Sequence, residues 1–360
     1  MMIVKQLSVL ALSAILAATG CKKVEEVGTG TAGGGGATAA TAKDVELINA
    51  SYDPTREMYV AFNPIFQKHW KETTGQNVTV TMSHGPSGKQ ARDIAAGKEA
   101  DIAALSVDFD IDEIAKVGLI PTDWRSRLPN DAVPYSSAVV FLVRKGNPKN
   151  IKDWDDLARP EVTALAPDPK TGGGARWIYL ATWAHALRKA EAAGQTGEAA
   201  VQAAREFTKK VYDDAITDPA MRGSTTRFIQ QQTGDVLFGW ENEILQVVND
   251  PKSGGAFEIV VPSDSIVIEV PISIVDKVTE KRGTTEAAKG YVDFLFSDPG
   301  QEIAAKFYNR PSSTAVLEKY KDQFPPLKLY RFKEHFKDWP TVMKAHFEQG
   351  GELDQMRRSK

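Results

Sequence analysis

From residue 45 onward the apolar positions gather in short β-rich runs: VELINASY (45–52), NVTVTMSH (77–84), ADIAALSV (100–107), SAVVFLVRK (137–145), VTALAP (162–167), GDVLFGW (234–240) and FEIVVP (257–262). Turns and helix-like stretches separate them. Strand and helix alternating in this way predict an α/β fold with mostly parallel sheets, and no fixed period marks a repeat array. Two segments are longer. PYSSAVVFLVRKGNP (134–148) and FEIVVPSDSIVIEVPISIVDK (257–277) are extended and apolar, as a chain needs if it crosses to a second lobe and returns. The expected layout is one lobe at 44–133 plus 265–325, another at 134–264, and C-terminal helices at 326–360 packing across both. The alternative is a single large sheet.

Helix beginnings carry most of the information about chemistry. In SYDPTRE, Asp53 is placed as an N-cap with Pro54 at the first helical position, where the missing N–H is no loss. The helix that follows carries Tyr59, Phe62, Phe66 and Trp70. SHGPSGKQARDI begins a second helix near Gly88, with Ser87 available as its cap. This loop is not a Walker A loop, because Ser83 and Gln90 stand where a Gly and a hydroxyl are needed. Nor is it a nucleophile elbow, because Lys89 occupies the second Gly position.

DPKTGGGARWIYLATWAHAL sets Gly172, Gly173 and Gly174 before a helix whose buried stripe is expected at Trp177, Leu180, Ala181 and Ala184. Gly223-Ser224-Thr225 precede a fourth helix, and Trp240 joins a strand to a fifth. A helix start presents unpaired N–H groups and a partial positive charge, and glycine lets a ligand approach the backbone. Several of these starts follow a strand, where open α/β sheets bind ligands. Each alone is an ordinary capped helix. Five that converge on one cleft make an anion site.

Composition narrows the class. The chain has 360 residues with 44 Lys and Arg against 47 Asp and Glu, a net charge of −3, and no basic run that would suit nucleic acid. Residues 1–21 read as an export signal: Lys5, an apolar run from Leu7 to Ala18, then small residues before Cys21. That run is too short for a stable membrane span. The single cysteine at the cut resembles a lipoprotein box, although Ala18 stands where a larger aliphatic residue is usual, and an ordinary cleaved signal fits the same residues. With Cys21 outside the globule, no disulfide, catalytic thiol or Cys-based metal site is expected. Residues 22–43, rich in Gly, Ala and Thr, read as a flexible tether.

NASYDPTRE, SHGPSGKQAR, RLPNDAVPYSSAVVFLVRKGNPKNIKDWDDL, GGARWIYLATW, RGSTTRF, GDVLFGWENE and GQEIAAKFYNRP resemble, in that order, the sulfate-binding protein family, the receptors of bacterial sulfate/thiosulfate ABC importers. The likeness runs from about residue 45 to 355. It implies a two-lobed type II periplasmic-binding fold with a ligand cleft between the lobes, a monomer without cofactor, catalysis or metal, working outside the cytoplasm with permease and ATPase subunits. It also implies a dehydrated sulfate held by the Asp53 backbone, Ser87, the backbone at Gly172, Gly173 and Gly174, the Met221 backbone and the Trp240 indole. Two positions depart from the pattern. Gly172 stands where the family commonly has Ser, with Thr171 the nearest hydroxyl, and Met221 stands where it commonly has Ala.

These residue types suit sulfate, which carries no proton at neutral pH and only accepts hydrogen bonds. Backbone N–H and the Trp indole only donate. An unpaired acceptor facing the ligand would cost about 1–3 kcal/mol or more, so the Asp53 carboxylate is expected to cap its own helix. Thiosulfate, molybdate and phosphate remain alternatives. Lys89, Arg176 and Arg222 are expected behind the ligand or on the surface, able to steer an anion inward. DFDID (108–112) lacks the Gly and Glu of a calcium loop and is expected as a solvated turn, and the five histidines show no ligand spacing. A serine hydrolase built on His84 and Ser87 is the reading from another class, with a surface adhesion lipoprotein as a third.

Overall fold

The computed structural model describes residues 43–358. The export signal, Cys21 and nearly all of the tether lie outside the described residues. Val45–Tyr52 pairs parallel with Val78–Gly85 along its whole length and with Ile102–Ala104 on its other side, where Ile272–Ile274 closes the edge antiparallel. A second sheet runs in the order Ile216–Asp218, Ala164–Pro167, Val236–Trp240, Val139–Arg144, Phe257–Val260. Its first two pairings are parallel and its last two antiparallel, so this sheet is mixed where a mostly parallel one was expected. The reason is the entry route: Val139–Arg144 comes straight from the crossing and so runs against its neighbours.

The long extended segments break where the chain changes sheet. The first is Tyr135–Ser137 followed by Val139–Arg144; the second is Phe257–Val260, Ser265–Ile266, Ile268–Val270 and Ile272–Ile274. Tyr135–Ser137 lies between Ile268–Val270 and Arg310–Pro311, antiparallel to both. Outgoing and returning chain therefore pair side by side between the two larger sheets, giving a two-lobed α/β architecture. Val139 to Val143 are all buried, which is why this strand reads as an unbroken apolar run rather than an alternation.

Packing follows the helix faces. Helix Arg56–Thr74 buries Tyr59, Phe62 and Phe66, and the ring of Tyr291 lies 5.0 Å from Phe62 and 4.9 Å from Phe66. Each such ring contributes about 1.5–3 kcal/mol by leaving water. Helix Gly173–Ala192 buries Trp177, Leu180, Ala181 and Ala184 as expected, but also Ile178, Tyr179, Thr182 and Trp183. The expected stripe was too narrow because the C-terminal segment covers another side, setting Trp339 5.0 Å from Trp177 and Phe347 5.1 Å from Tyr179. No described helix is long and apolar enough to cross a membrane.

Three local expectations change. DFDID opens helix Asp108–Lys116 and buries Asp110 and Ile111 instead of forming a solvated turn. The helix expected to follow Gly223-Ser224-Thr225 starts earlier, at Met221, with Gly223 inside its first turn. Ser87 is the first residue of helix Ser87–Ala95 rather than its cap, a position held by Pro86.

Candidate functional site

Within each larger sheet two neighbouring parallel strands end at the same edge. Tyr52 and Gly85 end one pair, leading into the tight turn Asp53–Thr55 and helix Ser87–Ala95; Pro167 and Asp218 end the other, leading into helices Gly173–Ala192 and Met221–Gln230. These four starts line one cavity of about 230 Å³, together with Tyr52, His84 and Gly172. That volume lies below the roughly 300–1,000 Å³ typical of drug-sized ligands, so the cavity suits a small one. The structure thus brings Asp53, Ser87, Gly172, Gly173, Gly174 and Met221 together. It does not bring Trp240 to the cavity wall.

The helix starts leave backbone donors at this cavity. The first helical bonds run from Lys89 and Gln90 to the Pro86 carbonyl, from Ala175 to Gly172, and from Gly223 to Ala220. The amides before them, at Ser87, Gly88, Gly173, Gly174, Met221 and Arg222, have no acceptor within their helices. Asp53 likewise opens its own turn. Gly172 differs, because its amide already donates to the Asp168 carbonyl at 3.0 Å.

The side chains behave less simply. The Ser87 hydroxyl donates to Asp110 Oδ2 at 2.5 Å and accepts from the Ser106 amide at 2.9 Å. A hydroxyl has one proton, so Ser87 faces the cavity with its backbone N–H and not, as expected, with its hydroxyl. Trp240 lies one layer back: its Nε1 donates to the Gly174 carbonyl at 3.1 Å, and its ring packs 4.8 Å from Tyr52. Thr171 does not replace the hydroxyl missing at Gly172, since its own Oγ1 donates to the Pro219 carbonyl at 2.8 Å.

Asp53 does not cap its helix. Its carboxylate accepts from Arg56 at 2.5 Å and from Arg222 Nε at 2.9 Å, because two guanidiniums outbid a single backbone amide. Burial works to raise its carboxyl pKa, but the hydrogen bonds from Arg56 and Arg222 outweigh that and hold it below the usual carboxylate range. Arg222, half exposed, also reaches Glu57 at 3.0 Å, so it ties the Met221 helix to the Asp53 wall across the cavity mouth. Lys89 stays on the surface, paired with Asp93 at 2.6 Å.

Sequence reasoning missed a buried carboxylate beneath the donors. Asp110 lies under Ser87, and burial pushes its pKa up although Arg176, 3.9 Å away, pulls against it. Arg176 itself is buried, not superficial. A polar residue three places into an acidic helix start would have been the only hint. Tyr52 is a second omission: it lines the cavity, and burial, reinforced by Glu243 and Asp53, pushes its phenol well above its usual value and keeps it neutral. Its place at a strand's carboxyl end was a usable signal. The hydrolase pair is not assembled, since His84 Nδ1 meets Ser51 at 2.7 Å while Ser87 is held by Asp110, and Ser51 is fully buried beyond the reach of any substrate.

Four other crevices are larger, of about 300, 360, 310 and 610 Å³. One of about 300 Å³ is lined by Asp108, Asp112, Arg125 and Glu269 among others, where Arg125 already pairs with both aspartates. One of about 360 Å³ shares Arg222 with the cavity and is lined by Glu57, Glu243 and Asp250 beside hydroxyl and amide side chains. No group of three His, Cys, Asp or Glu among the described residues has a metal-holding arrangement.

Residues 47–308 match the family model described as bacterial extracellular solute-binding protein. The chain belongs to that family. By that description its members are extracellular. The sulfate-binding protein of Escherichia coli (strain K12) is 47% identical over 321 residues, covering 89% of this chain and 95% of that protein. The thiosulfate-binding protein of Pseudomonas aeruginosa is 43% identical over 329 residues, covering 91% and 95%. Among solved structures, the sulfate-binding protein SubI of Mycobacterium tuberculosis aligns with a TM-score of 0.74 at 30% identity, covering 84% of this chain and all of that one. This solute-binding protein therefore shares its two-lobed fold with a sulfate-binding protein.

Proposed function

We propose that this solute-binding protein captures sulfate in the 230 Å³ cavity and hands it to the permease and ATPase subunits of an ABC importer. The observation that carries the proposal is the donor set. Amides at Asp53, Ser87, Gly173, Gly174 and Met221 open onto one small space, while the nearest carboxylate, Asp53, is already taken by Arg56 and Arg222. Such a site offers backbone donors, and the carboxylate in its lining is already paired, which favours a ligand that carries no proton. Four helix starts aimed at one point add partial positive charge without a cation in contact. Buried amides also keep their full worth where water is absent.

The names of the 47% and 43% identical relatives, sulfate-binding and thiosulfate-binding, support the same ligand class. Capture closes the two walls, with Arg222 bridging to Asp53 and Glu57 at 2.9 and 3.0 Å. Lipid attached to Cys21, with residues 22–43 as a leash, would keep the receptor beside its permease. A hinge in the paired crossing strands, with lobe boundaries near 134 and 265, goes with this closure.

Calorimetric titration of the purified protein with sulfate, thiosulfate, molybdate and phosphate tests the proposal. Tight one-to-one binding of sulfate with weak binding of phosphate is expected. Tighter binding of phosphate would overturn it.

A further inference from the structure

The hydroxyl and indole groups nearest the cavity are spent inside the protein, with one exception. The Ser87 hydroxyl donates to Asp110 at 2.5 Å, the Thr171 hydroxyl to the Pro219 carbonyl at 2.8 Å, and the Trp240 indole to the Gly174 carbonyl at 3.1 Å. Tyr52 is the exception. It lines the cavity, it is only 4% exposed, and its hydroxyl is sealed from solvent without a hydrogen-bond partner. A buried hydroxyl left unpaired is costly, and native proteins keep few of them.

The position of Tyr52 suggests the missing partner. It ends strand Val45–Tyr52 and directly precedes Asp53, whose backbone opens onto the cavity from one wall. Its ring packs against Trp240 with the centroids 4.8 Å apart, and its hydroxyl stands 3.1 Å from the place that a Cβ on Gly174 would occupy. The side chain therefore runs from the Asp53 wall to the Gly174 wall, between two amides already assigned to the ligand. Its proton stays on, because burial first, and then the charges of Glu243 and Asp53, push the phenol pKa well above its usual value. A neutral phenol is a donor.

We propose that Tyr52 is a further ligand-binding residue, and that its hydroxyl donates a hydrogen bond to an oxygen of the bound dianion from the Gly174 side. The inference rests on the proposed sulfate receptor. Without ligand the hydroxyl has nothing to lose; with ligand it gains a charged acceptor, and hydrogen bonds to charged groups are the strong ones.

The experiment titrates sulfate into the wild-type protein and Tyr52→Phe by calorimetry, beside thermal melts of both ligand-free proteins. Phenylalanine keeps the ring on Trp240 and removes only the hydroxyl. Sulfate affinity should fall roughly 10- to 100-fold, the worth of a hydrogen bond to a charged group, while the ligand-free melting temperature holds or rises because the lost hydroxyl had no partner. A hydroxyl that served only the fold would do the reverse, lowering the melting temperature and sparing affinity. Near-ultraviolet difference absorption gives a second reading on the wild-type protein, where sulfate should move a tyrosine band to the red. Unchanged affinity in Tyr52→Phe, or no tyrosine band shift in the wild-type protein on saturation with sulfate, overturns the assignment of Tyr52. Failure of the wild-type protein to bind sulfate overturns the receptor proposal instead, so the two failures are distinguishable.

Discussion

Adding one methyl group at Gly173 should weaken ligand binding without weakening the fold. Gly173 begins the long helix beside the five-stranded sheet, and its neighbours across the cavity belong to the wall beside the four-stranded sheet. A Cβ would lie 2.6 Å from Ser106 Oγ, 3.1 Å from Asp110 Oδ2 and 3.2 Å from Ser87 Cβ. Ser106 Oγ has no hydrogen-bond partner and can turn away. Asp110 and Ser87 cannot, because each holds the other and the Ser106 amide fixes Ser87. Overpacking of this kind costs about 1–3 kcal/mol, all of it charged to the state in which the walls touch, so affinity should fall roughly 5- to 150-fold. The assay pairs calorimetric titration of sulfate with a thermal melt of the ligand-free protein. Unchanged affinity in Gly173→Ala, or a ligand-free melting temperature that drops as far as the affinity loss implies, would refute closure of this wall onto the ligand.

Further outcomes follow from the same contacts. Trp240 reaches a ligand only by releasing the Gly174 carbonyl; if it makes that exchange, Trp240→Phe should lose about 1.5–3 kcal/mol of sulfate binding, whereas a change under threefold in titration would confine the indole to positioning Gly174. Asp53→Asn should keep sulfate affinity within about fivefold, because only the backbone of Asp53 is assigned to the ligand and its half-exposed ion pair with Arg222 is worth about 0–1 kcal/mol; a large loss would place the carboxylate in the site. Glu243 has one oxygen sealed from solvent without a partner. Burial raises its pKa to about 8, against the pull of Arg222 and with Asp53 and Glu57 adding to the rise. Between the unfolded carboxylate's value and about 8 the native state binds the extra proton, so stability is greatest at the acid end of that window and falls as pH rises through it. Urea unfolding from pH 5 to 8.5 should show a slope totalling on the order of a few kcal/mol, flattened in Glu243→Gln; equal slopes in both proteins would contradict the burial.

Much of the site was legible because its grammar is local. Pro54, Pro86 and the run Gly172 to Gly174 mark strand-to-helix turns, and parallel strands bring such turns to one edge whatever the rest of the chain does. The two extended segments gave the crossing for the same reason, since they lack any helical period. Side-chain partners were not legible. Ser87 looked like a donor for the ligand until Asp110, 23 residues away, claimed its proton, and Asp53 looked like a cap until Arg222, 169 residues away, claimed its carboxylate. Burial of Arg176 and the all-round burial of its helix depend on a C-terminal segment that no local pattern ties to residue 177. The mixed second sheet escaped because strand direction is set by where the chain enters, not by composition.

The central claim is that backbone amides from four converging helix starts, and no carboxylate, hold the anion. Crystals grown with selenate, a heavier tetrahedral dianion, test it directly through the anomalous signal of selenium. One strong peak is expected inside the cavity, with oxygens within about 3.2 Å of the amide nitrogens of Ser87, Gly173, Gly174 and Met221. A peak elsewhere on the protein, or one whose oxygens meet the Asp53 or Asp110 carboxylate, would contradict the account.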